Sequence, residues 1–495
     1  MGTLRFQLPS IWPADAAQDL ERAYVAGGYD NMPAPSRASV ASGVLTLDRE
    51  INESGFAAVP APIPGVGRLW TATSTLIEKK EPYQLLLELA RGKVNQVRSQ
   101  AAEWRTVGML IATDLEDRLR GLARRFAQAA TRSPDAEAEA AAQLALAEAF
   151  ETADQLVREY VAQILRARHN RQAKLETWLG VRINGSIPPT ASAGVASAVN
   201  CACLPLTWRS VEPTESNYRW EPTDTALAWA ERSDMRVCAG PLIDFSSRSL
   251  PDWLWLWEGD LQSLASFMCD YVETAVGRYR GRIRRWQLTA ASNMANILKL
   301  TEDDLLWLTA RLAEAAWQVD PELELSVGIT QPWGEYMARQ ERTYSPFIFA
   351  DTLIRAGLKL AAIDLEWLMG MTPRGTYCRD LLECSRVLDL YAMLGVPLQV
   401  SLGIPAATGD DLLADATIAV AAGHWQNKVS PDSQASWANA FATLAVSKPF
   451  VRSVNWVQLT DGEEHPFPHC GLLDPAGRPR PVLGALQQIR AAHLK

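Results

Sequence analysis

Two carboxylates stand where apolar runs give out: Asp244 in RVCAGPLIDF (236–245) and Glu366 in AAIDLEWL (361–368). A carboxyl at the end of a buried strand loses hydration, which raises its pKa and suits it to general-acid work. The same position equally suits a Glu held by an arginine or a backbone amide, and Asp244 could cap the SSRS turn that follows. ITQPWGEY (329–336) adds Gln331, Trp333 and Glu335 just past a further apolar run. Amide, indole and carboxylate together fit sugar hydroxyls and sugar faces, as they would a rigid polar loop.

The stretch DGEEHPFPHC gathers Asp461, Glu463, Glu464, His465, His469 and Cys470. Pro466 and Pro468 make it an extended loop without standard ligand spacing, so no metal site and no cofactor is expected, and Asp461 should serve to fix the loop. Cys201 and Cys203 alternate in a strand-like run and read as small buried hydrophobes. All seven cysteines lie after residue 200, and an odd number favours free thiols over a disulfide framework.

Positioning these groups requires a scaffold, and its texture changes along the chain. Residues 1–82 contain short β-rich runs (LRFQL, RAYVAG, SGVLTLDREI, GFAAV, RLWTATSTLI) punctuated by Pro, Gly, Asn and Ser, the pattern of a small β domain. Over 83–178 the period becomes helical. Leu146, Phe150, Val157, Val161 and Ile164 form one apolar stripe, and the RSPDAE break places Ser133 as N-cap with Pro134 at N1, so a helical hairpin or small bundle is expected. Over 179–495 strands and helices alternate. Candidate strands at 180–185, 196–206, 236–245, 284–290, 323–330, 361–368, 397–403 and 453–461 fit an α/β fold, a (β/α)8 TIM barrel, in which function sits at the carboxyl ends of the strands.

A net charge of −9 argues against nucleic acid as the main partner, because phosphate-binding surfaces carry a Lys/Arg excess. MGTLRFQLPSIWPAD has no apolar run of signal-peptide length, and no segment approaches the roughly 20 apolar residues of a membrane span, so a cytoplasmic protein without membrane attachment is expected. Tryptophan is abundant, 18 against 11 each of Phe and Tyr, and Trp208, Trp253, Trp333 and Trp367 fall near predicted strand ends. Indole faces stack on pyranose rings, which makes an oligo- or polysaccharide the expected partner; the alternative is plain core packing.

Several stretches of 180–495 resemble glycoside hydrolase family 10, the xylanase family. They are WRSVEPTESNYRWEPTDTALAWAERSDMRVCAGPLIDF, SLPDWL, VGRYRGRIRRWQL and GLLDPAGRPRPVLGAL. The resemblance implies a retaining barrel glycosidase, which needs two carboxylates roughly 5 to 5.5 Å apart, one as acid/base and one as nucleophile. In the family the acid/base Glu ends strand four, a position that falls here on Ala290-Ala291, with Ala291 as the matching residue. The nucleophile ends strand seven and falls on Leu402 or Gly403. The family's Asn-Glu-x-Lys-Trp on strand two reads Leu204-Pro-Leu-Thr-Trp208, its strand-three His is matched by Pro241, and its Gln-x-His on strand six reads Glu366-Trp367-Leu368. Asp461 matches a family Asp after strand eight.

Three readings stay open. One is a divergent, non-catalytic carbohydrate-binding protein, a pseudoenzyme of the β-glycan or xylan type. Another is an O-glycosyl hydrolase with relocated carboxylates, Glu366 and Asp244, and with Trp208, Trp253, Gln331, Trp333, Glu335, Trp367 and Asp461 holding the sugar. The third is a structural or assembly protein that forms a homo-oligomer through its helical region.

Overall fold

The computed structural model describes residues 2–28, 30–50, 52–132, 135–204, 206–246 and 248–495. Eight parallel strands close a barrel in chain order: Trp178–Arg182, Cys201–Leu204, Arg236–Ala239, Arg285–Ala290, Glu324–Thr330, Ala362–Leu368, Leu398–Gly403 and Val451–Trp456. The eighth pairs with the first through Trp456 and Val181, which completes the ring. Every residue of the sixth strand is buried, as parallel strands covered on both faces require. Burial drives the choice of residue: Ile363, Leu365 and Trp367 face the surrounding helices, and the polar alternates Asp364 and Glu366 face the barrel interior, where Ser401 of the seventh strand meets Asp364.

Three expected boundaries shift. The expected strand at 196–206 begins with the end of a helix, Pro189–Ala198, because its alanines continue a helical turn before Cys201 starts the strand. The third strand breaks after Ala239, where Gly240 has φ +110° and a Cβ would lie 2.3 Å from the carbonyl oxygen of Gln287; the chain rejoins the sheet at Ile243–Asp244. The eighth strand ends at Trp456, and Val457 to Asp461 run on as loop.

Before the barrel lie two sheets, antiparallel except where Gly2–Gln7 pairs parallel with Tyr83–Gln84. One orders Ser36–Ala41, Val44–Arg49, Gly2–Gln7 and Tyr83–Gln84. Its first two strands are joined by Ser42-Gly43, both at positive φ (49° and 75°), the geometry that suits a two-residue hairpin. The other contains Gly67–Ala72, Phe56–Ile63, Tyr24–Gly27 and Met32–Ala34, and takes its edge strand, His424–Trp425, from the chain beyond barrel strand seven.

Three helices follow, Leu85–Thr106, Thr113–Ala130 and Ala136–His169, each packed against the other two. Ser133 and Pro134 lie outside the described residues; the long helix is capped by Asp135, whose side chain accepts a hydrogen bond from the amide of Ala138. Leu146, Phe150, Val157 and Val161 of the expected stripe are buried, and Leu165 extends it where Ile164 is only half-buried. The same long helix packs on the barrel helices Leu381–Ala392 and Pro431–Ser447, and one hydrophobic core runs from the N-terminal sheets into the barrel. Among the described residues no helix is long and apolar enough to cross a membrane.

Lys93 ties the first of these helices to the barrel. Its ammonium lies 2.5 Å from Asp380, with the two side chains 4% and 10% exposed. Removing one member of a buried pair strands the other charge, at a cost of about 3–5 kcal/mol. Lys93→Ala is therefore expected to lower the denaturation midpoint clearly, whereas Arg120→Ala, which breaks only exposed pairs with Glu116 and Asp117, should change stability by less than about 1 kcal/mol. Parallel denaturant melts of the two variants check this.

Candidate functional site at the strand ends

Asp244 and Glu366 approach each other through a third residue, Arg374. One guanidinium nitrogen lies 2.7 Å from Asp244 Oδ2 and the other 3.2 Å from Glu366 Oε1, and all three side chains are buried. Thr330 at the end of strand five donates to Glu366 Oε2 at 2.7 Å, and the amide of Ser246 donates to Asp244 Oδ1 at 3.0 Å. Burial would raise the pKa of Asp244, but the charge and hydrogen bond of Arg374 outweigh it and hold the carboxyl below its usual range. Burial likewise opposes the charge on Arg374, yet the two carboxylates raise its pKa further. Asp244 and Arg374 are thus held charged, with Glu366 bound to the same guanidinium, and the space between the two carboxylates is filled by that group.

Arg374 reaches this point because the chain after strand six folds back. Gly370–Thr372 pairs antiparallel with Ala419–Ala422, and Met369 bridges Thr376. Gln331 Nε2 donates to the carbonyls of Pro373 (2.5 Å) and Gly375 (2.8 Å). Glu335 accepts from Thr376 Oγ1, from the amide of Tyr377 at 3.2 Å and from Arg379 at 2.6 Å. Gln331 and Glu335 therefore bind a loop of this chain, and through it they join the cluster of Asp244 and Glu366. The guanidinium of Arg379 also lies 4.6 Å from the ring of Trp333, which packs 6.2 Å from Trp367.

The other expected residues sit apart from this cluster. Trp208 is buried, donates to Glu212 Oε2 at 2.7 Å and stacks on Tyr271; Trp253 meets its ring edge-on at 5.7 Å and donates to the Glu212 carbonyl. Trp367 is fully buried and turns outward, 6.4 Å from Phe441. Asp461 is fully buried and takes hydrogen bonds from Gln458, the amide of Gly471 and Arg480. In the same loop His465 Nε2 lies 3.0 Å from Asp411, which also accepts from the amide of His469. Asp411, Asp461 and His469 place possible ligand atoms within 4.8 Å of one another. Asp411 lies fifty residues upstream, so spacing within the DGEEHPFPHC stretch could not reveal it.

Ala291 follows strand four with φ 58° and is almost wholly buried. Ser401 faces the interior, so alternation turns Gly403 the same way and Leu402 outward. A Cβ at Gly403 would lie 2.7 Å from a methyl of Val457 and 3.1 Å from one of Leu368. The direction a longer side chain would take is closed by apolar groups.

Sequence reasoning missed three groups. Arg374 sits in a TPRG turn that looks like any loop. Asp364 had a visible signal, a carboxylate inside an apolar strand two residues before Glu366. The third is a cavity of about 810 Å³ between the N-terminal sheet, the first long helix and the barrel loops, lined among others by Tyr24, Trp70, Lys93, Gln96, Trp333 and Arg379. The indole N–H groups of Trp70 and Trp333 and the Nε of Arg379 are buried without a hydrogen-bond partner in the structure.

A closed eight-stranded barrel with helices around it, a mouth crossed by a buried ion-pair cluster and extra N-terminal sheets define the class as a (β/α)8 barrel with additions. Residues 202–290, from strand two to the end of strand four, match the model of glycosyl hydrolase family 10. The endo-1,4-beta-xylanase B of Thermotoga neapolitana is 29% identical over 83 residues, 17% of this chain and 23% of that one. Endo-1,4-beta-xylanase A of Fusarium oxysporum is 26% identical over 83 residues, so the matched stretch spans about a quarter of the length of these relatives. A family 10 structure from Paenibacillus barcinonensis superposes with a TM-score of 0.48 at 16% identity, covering 68% of this chain and 98% of that one. The chain is thus a (β/α)8 barrel whose second to fourth strands are similar to glycosyl hydrolase family 10.

Asp364 gives the site a pH signature. Burial first, and the neighbouring charge of Glu366 second, push its carboxyl from 3.8 up to about 7, against the hydrogen bond from Ser401 and the charge of Arg182. The folded state then holds a proton that the unfolded chain releases, so this residue makes stability fall as pH rises from about 4 to about 7. Asp364→Asn is expected to flatten that fall, which denaturant melts at pH 4.5 and 8 would register as a smaller pH difference than in the parent chain.

Proposed function

We propose that this chain is a family 10-like carbohydrate-binding protein, recognising a β-glycan or xylan-type saccharide, that does not carry out retaining hydrolysis. The observation that carries this reading is Arg374, which occupies the space between Asp244 and Glu366 and binds both. A retaining glycosidase needs its two carboxyls free to face the scissile bond, one able to donate a proton and one to attack carbon. Here both carboxyls are committed to one cation. Ala291, and Leu402 or Gly403, where the resemblance places the family's glutamates, carry no group that could replace them.

Saccharide binding is supported by the xylanase relatives and by the cavity beside the mouth. Trp70 and Trp333 line that cavity, and indole faces are the groups on which pyranose rings stack. A solved relative from Thermotoga petrophila is described in complex with xylobiose, at 16% identity and a TM-score of 0.46. The substrate-binding roles of Gln331 and Glu335 are proposed as indirect: they hold the loop that shapes the mouth, while Trp333 meets the sugar. Trp208, Trp253, Trp367 and Asp461 act in packing.

Two measurements on the purified chain test the reading. Xylan and aryl β-glycosides should show no release of reducing sugar, with Glu366→Gln indistinguishable from the parent. Turnover that disappears in that variant would overturn the proposal in favour of a hydrolase with relocated carboxylates. Calorimetric titration with xylo-oligosaccharide should show binding that weakens about tenfold in Trp333→Ala, the loss of roughly 1.4 kcal/mol expected for a stacking face.

A further inference from the structure

We propose that Cys201, Cys203 and Cys238 form a binding site for one soft, thiophilic metal ion of the Cu(I) class inside the barrel. Cys201 and Cys203 are two apart on strand two and so present their sulfurs on one face, while Cys238 is the register partner of Cys203 on strand three. That face is the interior one, since Cys203 reaches Asn455 of strand eight across Gly180, where a Cβ would lie 3.3 Å from the Cys203 sulfur. The glycine keeps the space next to the sulfurs clear.

The three sulfurs converge. Cys203 Sγ lies 2.8 Å and Cys201 Sγ 3.7 Å from Cys238 Sγ, and all three fall within 4.8 Å of one another. A metal–sulfur bond of about 2.3 Å places the sulfurs around one ion roughly 3.8–4 Å apart, so small side-chain rotations suffice to seat it. Two thiols 2.8 Å apart are closer than packing alone favours. The guanidinium groups of Arg182 and Arg285 act electrostatically on Cys238 and would offset the charge of a three-thiolate complex. Cys238 is less deeply buried as a residue than Cys201 and Cys203.

The donor set selects the ion. No fourth His, Cys or carboxylate joins the cluster among the described residues. Three sulfurs with only the neutral amide oxygen of Asn455 beside them favour Cu(I), which accepts low coordination and prefers sulfur; Zn(II) prefers four ligands and would need a water; Mg(II) and Ca(II) require several oxygens. Binding is a ligand addition without redox change, in which any thiol protons are released to buffer.

The test uses the full chain, reduced and desalted without oxygen. Titration with Cu(I) against a chromogenic Cu(I) chelator should show one equivalent bound, and X-ray absorption at the copper edge should show sulfur-only scattering near 2.3 Å. Losing a direct ligand should exceed the 10–100-fold that outer-shell changes cost, so Cys238→Ala should weaken binding by more than about 100-fold, while Cys470→Ala, at a buried cysteine elsewhere, should leave it unchanged. Zn(II) in parallel should bind more weakly. The proposal is overturned by the absence of Cu(I) binding, by nitrogen or oxygen scatterers around the ion, by tighter Zn(II) binding, or by binding that survives Cys238→Ala. The absorption measurement on the parent chain holds even where a variant fails to fold.

Discussion

A guanidinium buried at the mouth of a barrel must be charged, so its surroundings must supply the opposite charge. Arg374 meets that constraint with Asp244 from strand three and Glu366 from strand six, and much of the upper barrel follows from it. Without the arginine, two carboxylates would face each other in a dry site, at a cost of several kcal/mol. Without the carboxylates, the loop that carries Arg374 could not lie down. Gln331 and Glu335 complete the arrangement by taking up the loop's carbonyls, an amide, a hydroxyl and Arg379. The mouth is thus crossed by a buried polar network in which Arg374 and Arg379 each keep one Nε–H without a partner, and the bonds that are made rigidify the groups they join.

The interior below the mouth repeats the pattern in weaker form. Arg182 donates to Gln287, Ser401 to Asp364, and Ser453 and Cys203 share Asn455. Barrels more often fill such layers with branched aliphatic residues. The polar filling has a cost here, since Asp364 keeps one oxygen unpartnered and its carboxyl is pushed toward the protonated form. Near the start of strands two and three three cysteines replace such groups, and their softness rather than their size separates them from the layer above.

The periodicity of the chain made the barrel legible: seven of the eight strand expectations begin within about two residues of the observed start, because runs such as AAIDLEWL can only be buried on both faces. The strand expected from 196 failed for a local reason, that ASAV can serve a helix end as well as a strand. The site was legible in half. Asp244 and Glu366 were found because each is a carboxylate at a strand end, but their shared partner lies in a turn whose residues advertise nothing. Arg374 is close to Glu366 in sequence and 130 residues from Asp244, so the pairing that defines the cluster exists only once the barrel closes.

Closure also explains why the N-terminal region is bound to the barrel so firmly. The strand His424–Trp425 completes a sheet that begins at Tyr24, Cys378 accepts a backbone hydrogen bond from Trp70, and Tyr377 donates to Asp19. All three contacts come from the segments flanking the folded-back loop. The sheet therefore braces the very chain that delivers Arg374, and the cavity lined by Trp70 and Trp333 forms at that junction. A ligand in the cavity would touch both the brace and the loop. Binding there and the set of the mouth are then joined through the ion pairs at Arg374 and Arg379, which anchor the same loop to strands three and six and to Glu335.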